Sequence, residues 1–335
     1  MTALRRSLAS STLVWPLVAL AAILLFNLFF TPGFFSVVVR EGHLYGSLVD
    51  VVKNAVPVMI IAIGMTLVIA TGGIDISVGA LVALSGAVAG VLIVHHQAPL
   101  ALLILLPLVA ATAGGAVNAF LITVLGIQPI IATLIPMVTG RGLGQLIIGG
   151  RVLWFRHPEL EYLGSGYLFG LPVRIFVAAV LLAVVAAALR ATPLGLYIQA
   201  VGGSARASRY AGVSVRVVKF VVYTFSGLCA GIAGLVMTAN IRGSDAAQVG
   251  MYIELDAILA VVIGGTSMNG GKFSLLGSVI GALIIQTLTT TIFTKGVPVQ
   301  FTLVVKATVV VLVILLQSAE FRARVAALIP RRRAP

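Results

Sequence analysis

The 335-residue chain is 60% hydrophobic and 9% charged, with a mean hydropathy of +1.16. An ordinary soluble domain carries about 25% charged residues, and a chain this apolar cannot hide its surface in one water-surrounded core, so a soluble globular protein is excluded. The net charge of +13 does not point to nucleic acid, because the basic residues fall between and beyond apolar stretches and form no stripe interleaved with aromatics.

A bilayer does solvate such a chain. The 36 glycines, the 7% aromatic content and the lack of alternating ten-residue segments favour close-packed helices over a β-barrel. A spanning helix needs about 20 mainly apolar residues. Apolar runs at 13–30, 54–72, 76–95, 99–124, 128–148, 173–190, 217–239, 254–266, 273–294 and 298–317 predict about ten transmembrane helices, the eighth too short to cross unless it is broken or completed by irregular backbone. Arg5 and Arg6 precede the first run, and the small residues Ala19 and Ala21 lie inside it rather than after it, so it reads as an uncleaved first span.

After the second run, the segment Thr71-Gly72-Gly73-Ile74-Asp75-Ile76-Ser77 interrupts the pattern. One reading is a broken helix beside the substrate path; the other is a tight cytoplasmic turn with Asp75 in water. Asp75 and Ser77 are candidate caps for the helix that follows. His95 and His96 have no spaced partner, and the single Cys229 permits neither an internal disulfide nor a multi-cysteine site. Neither a metal centre nor a catalytic set is expected.

Polar residues inside apolar spans are functional candidates. Asn118, Gln128, Thr139, Arg141, Gln145, Gln286 and Lys306 are of this kind, with Arg141 and Lys306 near outer ends where snorkelling is expected. The substrate-pathway candidates are Thr71, Asp75, Ser77, Asn118, Gln128, Arg141 and Gln145, with Asn269 from a second break further on. The segment 149–172 carries Trp154, Phe155, Tyr162 and Tyr167, either interfacial anchors or a docking surface for an external partner.

The loop at 191–216 is basic and acid-free. Ala205 to Ala211 form a short predicted helix, with Ser204 as N-cap, Gly212 as stop, and Arg206 and Arg209 on one face. The second break, Gly264-Gly265-Thr266-Ser267-Met268-Asn269-Gly270-Gly271-Lys272, weakly repeats the first. It narrowly misses a phosphate-binding loop, because Gly271 intervenes before Lys272 and Phe273 replaces the hydroxyl, so ATP binding is not expected here. The GxxxG pairs Gly86–Gly90, Gly227–Gly231 and Gly277–Gly281 predict close helix packing.

Charge sets the orientation. Arg5 and Arg6, the loop residues Arg190, Arg206, Arg209, Arg216 and Lys219, and Arg322, Arg324 and Arg331 to Arg333 fall on one side against Glu320 alone. Glu41, Asp50, Glu159, Glu161, Asp245, Glu254 and Asp256 fall on the other. Both termini are therefore expected in the cytoplasm.

The chain resembles the permease subunits of ribose-type carbohydrate ABC importers. The resemblance runs through nearly its whole length and is carried by Gly64–Ala80, Gln128–Leu134, Gly203–Gly212 and Leu255–Gly265. Stretches such as Arg242-Gly243-Ser244-Asp245-Ala246 and Gly281–Gln286 look most like the galactofuranose permeases. The resemblance implies one transmembrane permease domain over 1–335, multi-pass in a bacterial inner membrane, working without a cofactor and without enzymatic activity of its own. It further implies a cytoplasmic sugar-type ATPase, a periplasmic sugar-binding protein, a second permease subunit and a monosaccharide substrate, alongside membrane lipid. The loop residues Gly203, Ser204, Ala205, Arg206, Arg209 and Gly212 would form the ATPase-coupling helix. The competing reading is a secondary transporter, for which Asp75 is the one candidate ion ligand.

Overall fold

A computed structural model describes residues 13–40 and 42–317. Glu41, Arg5, Arg6, Glu320 and the arginines from Arg322 onward lie outside the described residues.

The chain folds into helices α1 (Val14–Phe30), α2 (Ser47–Ala70), α3 (Val78–Val94), α4 (Leu100–Thr123), α5 (Pro129–Ile147), α6 (Pro158–Ser165), α7 (Val173–Ala191), α8 (Leu194–Gly203), α9 (Ala205–Tyr210), α10 (Val215–Ile241), α11 (Ile253–Ile263), α12 (Leu275–Thr294) and α13 (Val299–Gln317). Each of the ten apolar runs coincides with a helix. Six of these helices, α2, α4, α5, α7, α10 and α12, are both long and apolar enough to cross a bilayer. Helices α1 and α3 are apolar but 17 residues each, and α11 has only 11. Helix α8, within the loop at 191–216, was not anticipated.

Three antiparallel ribbons occur in segments that read as loops in the sequence. Val38–Arg40 (β1) pairs with His43–Tyr45 (β2), Leu153–Trp154 (β3) with Gly243–Ser244 (β6), and Tyr167–Leu168 (β4) with Leu171–Pro172 (β5). They satisfy backbone groups in connections that would otherwise lack partners. All lie at the end of the bundle opposite α9.

Helix α2 runs through the centre of the bundle, with 83% of its most apolar window buried inside the chain. Only 22% of that window is buried in α4 and 17% in α7, so their apolar faces point outward, as a lipid-facing helix requires. Helix α10 is the other organiser, packing along α4, α3 and α2. Lipid tails are as apolar as leucine side chains, so close packing and interhelical hydrogen bonds hold such a bundle together.

The GxxxG pairs provide the close packing. A Cβ on Gly227 would lie 2.8 Å from the Gly115 Cα of α4, and one on Gly90 would lie 2.6 Å from Ser244 Cβ. Gly277 and Gly281 of α12 abut the carbonyls of Gly264 and Ala260 at the end of α11. Interhelical hydrogen bonds add to this: Thr66 of α2 donates to Ser278 of α12 (2.7 Å), Asn27 of α1 to Thr291 of α12 (2.7 Å), and Ser85 of α3 to the Gly231 carbonyl (2.9 Å). Each is worth about 0.6 kcal/mol in a membrane bundle.

Candidate functional site

The first glycine-rich break folds into the interior. Asp75 and Ser77 are fully buried, as is Asn118 of α4. The Asp75 carboxylate is the hub. Its Oδ1 accepts hydrogen bonds from the Ser77 backbone N–H (3.0 Å), the Ser77 hydroxyl (2.7 Å) and Asn118 Nδ2 (3.3 Å). Its Oδ2 accepts from the Ser226 hydroxyl of α10 (2.9 Å), and Asn118 Nδ2 also donates to Ser77 Oγ (2.7 Å). The turn is tied to α5 as well, through the Ile76 N–H and Thr133 Oγ1 (3.3 Å).

This corrects two expectations. Asp75 is not a solvated turn residue, because the break folds inward and the carboxylate is enclosed by α4 and α10. Ser77 occupies the N-cap position of α3 but makes no side-chain cap, because its hydroxyl is committed to Asp75 and Asn118. Ser226 was missed, although a serine directly before the Gly227–Gly231 pair of an apolar helix is a visible signal.

The two breaks meet each other and α8. The Gly271 N–H donates to the Ala70 carbonyl at the end of α2 (2.9 Å). A Cβ on Gly270 would lie 2.8 Å from the Gly202 carbonyl and 3.0 Å from the Gly72 nitrogen, and one on Gly202 would strike the Ala70 carbonyl and the Gly271 nitrogen. Three backbones therefore touch where the C-terminus of α8 enters the junction. Gly72, Gly270 and Gly271 hold positive φ angles of 74°, 86° and 87°, a conformation that β-carbons disfavour.

Helix α9 follows directly. Ser204 Oγ accepts from the Ala207 N–H (3.2 Å), and Gly212 closes the segment with φ of 80°. Gly203 and Ser204 are exposed and Ala205 is half-buried. Arg206 and Arg209 are exposed too, and no ion pair engages them among the described residues. Arg209 also lines a groove of about 670 Å³ with Gln128, Arg216 and Lys219.

The eight pathway candidates do not form one site. Asp75, Ser77 and Asn118 cluster. Thr71 is buried in the same turn, but its hydroxyl donates to the Val68 carbonyl (2.8 Å) as part of the end of α2. Asn269 is exposed at the junction and Gln145 is exposed on α5. Gln128 lies beside α9. Arg141 does not snorkel: its Nη1 donates to the carbonyls of Ala246 (3.1 Å), Ala247 (2.9 Å) and Val249 (3.3 Å), holding the connection between α10 and α11 against α5. Lys306 does not snorkel either. It is 8% exposed and pairs with Asp256 of α11 at 3.0 Å.

A family model described as the branched-chain amino acid transport system / permease component matches residues 47–314. That span takes in both breaks, α9 and every helix of the central bundle. The chain belongs to this permease family. The permease is 47% identical over 312 residues to the galactofuranose transporter permease protein YtfT of Escherichia coli, covering 92% of this chain and 91% of that protein. It is 38% identical to the fructose import permease FruF of Bifidobacterium longum, over 93% of this chain and 89% of that one. The ribose import permease RbsC of Escherichia coli is 35% identical, over 90% and 92%. No solved structure matches the permease. As a permease it is a multi-pass transport component and not a catalyst.

Proposed function

We propose that this permease forms the membrane pathway of an ATP-driven monosaccharide importer, with galactofuranose the first sugar to test. The observation that carries this reading is the 47% identity to a galactofuranose permease, sustained over 92% of the chain. In this reading the chain makes ten crossings of a bacterial inner membrane, with both termini cytoplasmic. Helix α9 then faces a cytoplasmic ATPase, and the β-ribbons face a periplasmic sugar-binding protein. A second permease subunit covers part of the outward apolar surface.

The geometry supports a division of labour. Gly203, Ser204, Ala205, Arg206, Arg209 and Gly212 build a short capped helix whose free guanidinium groups suit an acidic groove on the ATPase. The backbone junction behind it passes displacement of α9 to both breaks, because glycine contacts without intervening side chains have little give. The Asp75 cluster holds the first break against α4 and α10, so a shift of the break moves three elements together. In a chain lacking a charged sugar pocket along the Asp75 cluster, selectivity rests largely with the binding protein.

Deleting the gene in its native host tests this reading. The deletion should abolish high-affinity uptake of labelled galactofuranose, and the plasmid-borne gene should restore it. Unchanged uptake of galactofuranose, fructose and ribose in the deletion strain would refute the monosaccharide reading.

A further inference from the structure

A polar cavity of about 520 Å³ opens at the end of the bundle opposite α9, among the first turns of α2 and α7 and the last turns of α10 and α12. It is separate from the Asp75 cluster, and none of the pathway candidates lines it. Its most unusual wall is Arg174. This side chain is 6% exposed, and its Nε has no hydrogen-bond partner among the described residues. The acid in the cavity, Asp50, forms its ion pair with Lys53 one turn along the same helix. Asn54, Asn240 and Gln286 add three carboxamides to the lining of the same cavity. The Gln286 amide makes only a long contact to Thr290 Oγ1, at 3.4 Å.

A buried donor left unpaired costs about 1–3 kcal/mol, and more when charged. An apolar side chain would pack at the start of an apolar helix without that cost. The Nε itself is sealed from the cavity, and the outer guanidinium nitrogens, which form no hydrogen bond among the described residues, are the donors open to a partner there. The cavity chemistry defines that partner. Guanidinium, carboxamide and carboxylate are planar groups that each present two polar atoms side by side, which matches the adjacent hydroxyls of a sugar ring. Phe293 at the wall offers an apolar surface for the ring's C–H face. A phosphate site would gather cations without a carboxylate, whereas here one of the two cations is already neutralised by Asp50.

We propose that this cavity is a weak monosaccharide subsite on the binding-protein side of the permease, with Arg174 as its central donor and Asn54, Asn240 and Gln286 as its flanking groups. The inference rests on the import reading above. It places a transit site within one subunit, where the sugar is held after release from the binding protein and before the breaks move.

The test uses the permease–ATPase complex in nanodiscs without binding protein. It is titrated with D-galactose, D-fructose and D-ribose and followed by saturation-transfer difference NMR. Wild-type complex should give ring-proton signals with at least one of the three sugars. Arg174→Leu should reduce them by about tenfold or more, the loss expected for one charge-assisted hydrogen bond. The same variant should melt no lower than wild type, because it removes a buried guanidinium whose Nε makes no hydrogen bond. Gln286→Ala, a milder change, should reduce the signals too and provides the answer if Arg174→Leu does not assemble. Absence of signal in the wild type, equal signals in wild type and variants, or inorganic phosphate displacing the sugars would each overturn the subsite. Failure of the import reading would look different: the complete wild-type transporter with its binding protein would then take up none of the sugars.

Discussion

Asp75 is the residue on which the site turns. One carboxylate accepts four hydrogen bonds from three elements, all inside the protein. Asp75→Asn keeps one acceptor oxygen for Ser77 and Asn118 and loses the acceptor facing Ser226, a cost of about 1 kcal/mol. Asp75→Ala strands every donor, at about 1–3 kcal/mol for each buried one. The asparagine variant should therefore reach the membrane at near wild-type yield, judged by detergent size-exclusion chromatography, while sugar uptake falls severalfold. Wild-type uptake would reduce Asp75 to a turn residue. The sequence exposed Asp75 because a lone acid between two apolar runs is conspicuous. It concealed the burial, because a Gly-Gly turn reads alike whether it folds outward or inward. Arg141 and Lys306 were misjudged for a related reason: a cation near the end of a span reads as snorkelling until its tertiary partner, three carbonyls or Asp256, is in view.

At the scale of elements, the decisive unit is α8–α9 with the two breaks. Helix α9 was legible from its cap, its stop and the spacing of its arginines. Helix α8 was not, because Leu194 to Gly203 looks like the tail of a linker and its role is to bring Gly202 between two distant turns. Gly202→Ala should disturb this junction, since the added carbon meets the Ala70 carbonyl and the Gly271 nitrogen. Expression should hold, but the ATPase rate of the reconstituted complex should respond less to loaded binding protein, by about fivefold or more for the roughly 1 kcal/mol of strain that overpacking imposes. Undiminished stimulation would show the junction to be passive. Reversing charge at α9 tests the contact itself. The Arg206→Glu and Arg209→Glu double variant should lose ATPase on copurification, and a stable complex with normal stoichiometry would show these charges to be topogenic only.

For the whole molecule, the places of the apolar helices followed from hydropathy, because lipid demands apolar runs. Their length did not: α3 has 17 residues after the glycine turn, and α11 has 11 after the irregular connection at 242–252. The ribbons were invisible, each strand being too short to show alternation. Orientation is tested by cysteine labelling. Tyr210, 87% exposed at the end of α9, and the exposed Ser165 are suitable sites, whereas Ser208 is 5% exposed and shielded. Tyr210→Cys should react only from the cytoplasm and Ser165→Cys only from outside. Labelling of both from one side would contradict the single crossing by α7 that separates them, and with it the ten-crossing topology.

In the proposed function this chain carries a monosaccharide across a membrane at the expense of ATP hydrolysed by another subunit. The most direct measurement is uptake of labelled galactofuranose into proteoliposomes containing the permease, its ATPase and loaded binding protein. Accumulation should require ATP and all three components, and should collapse when the permease carries Arg206→Glu and Arg209→Glu. Uptake without ATP, driven instead by an ion gradient, would contradict it.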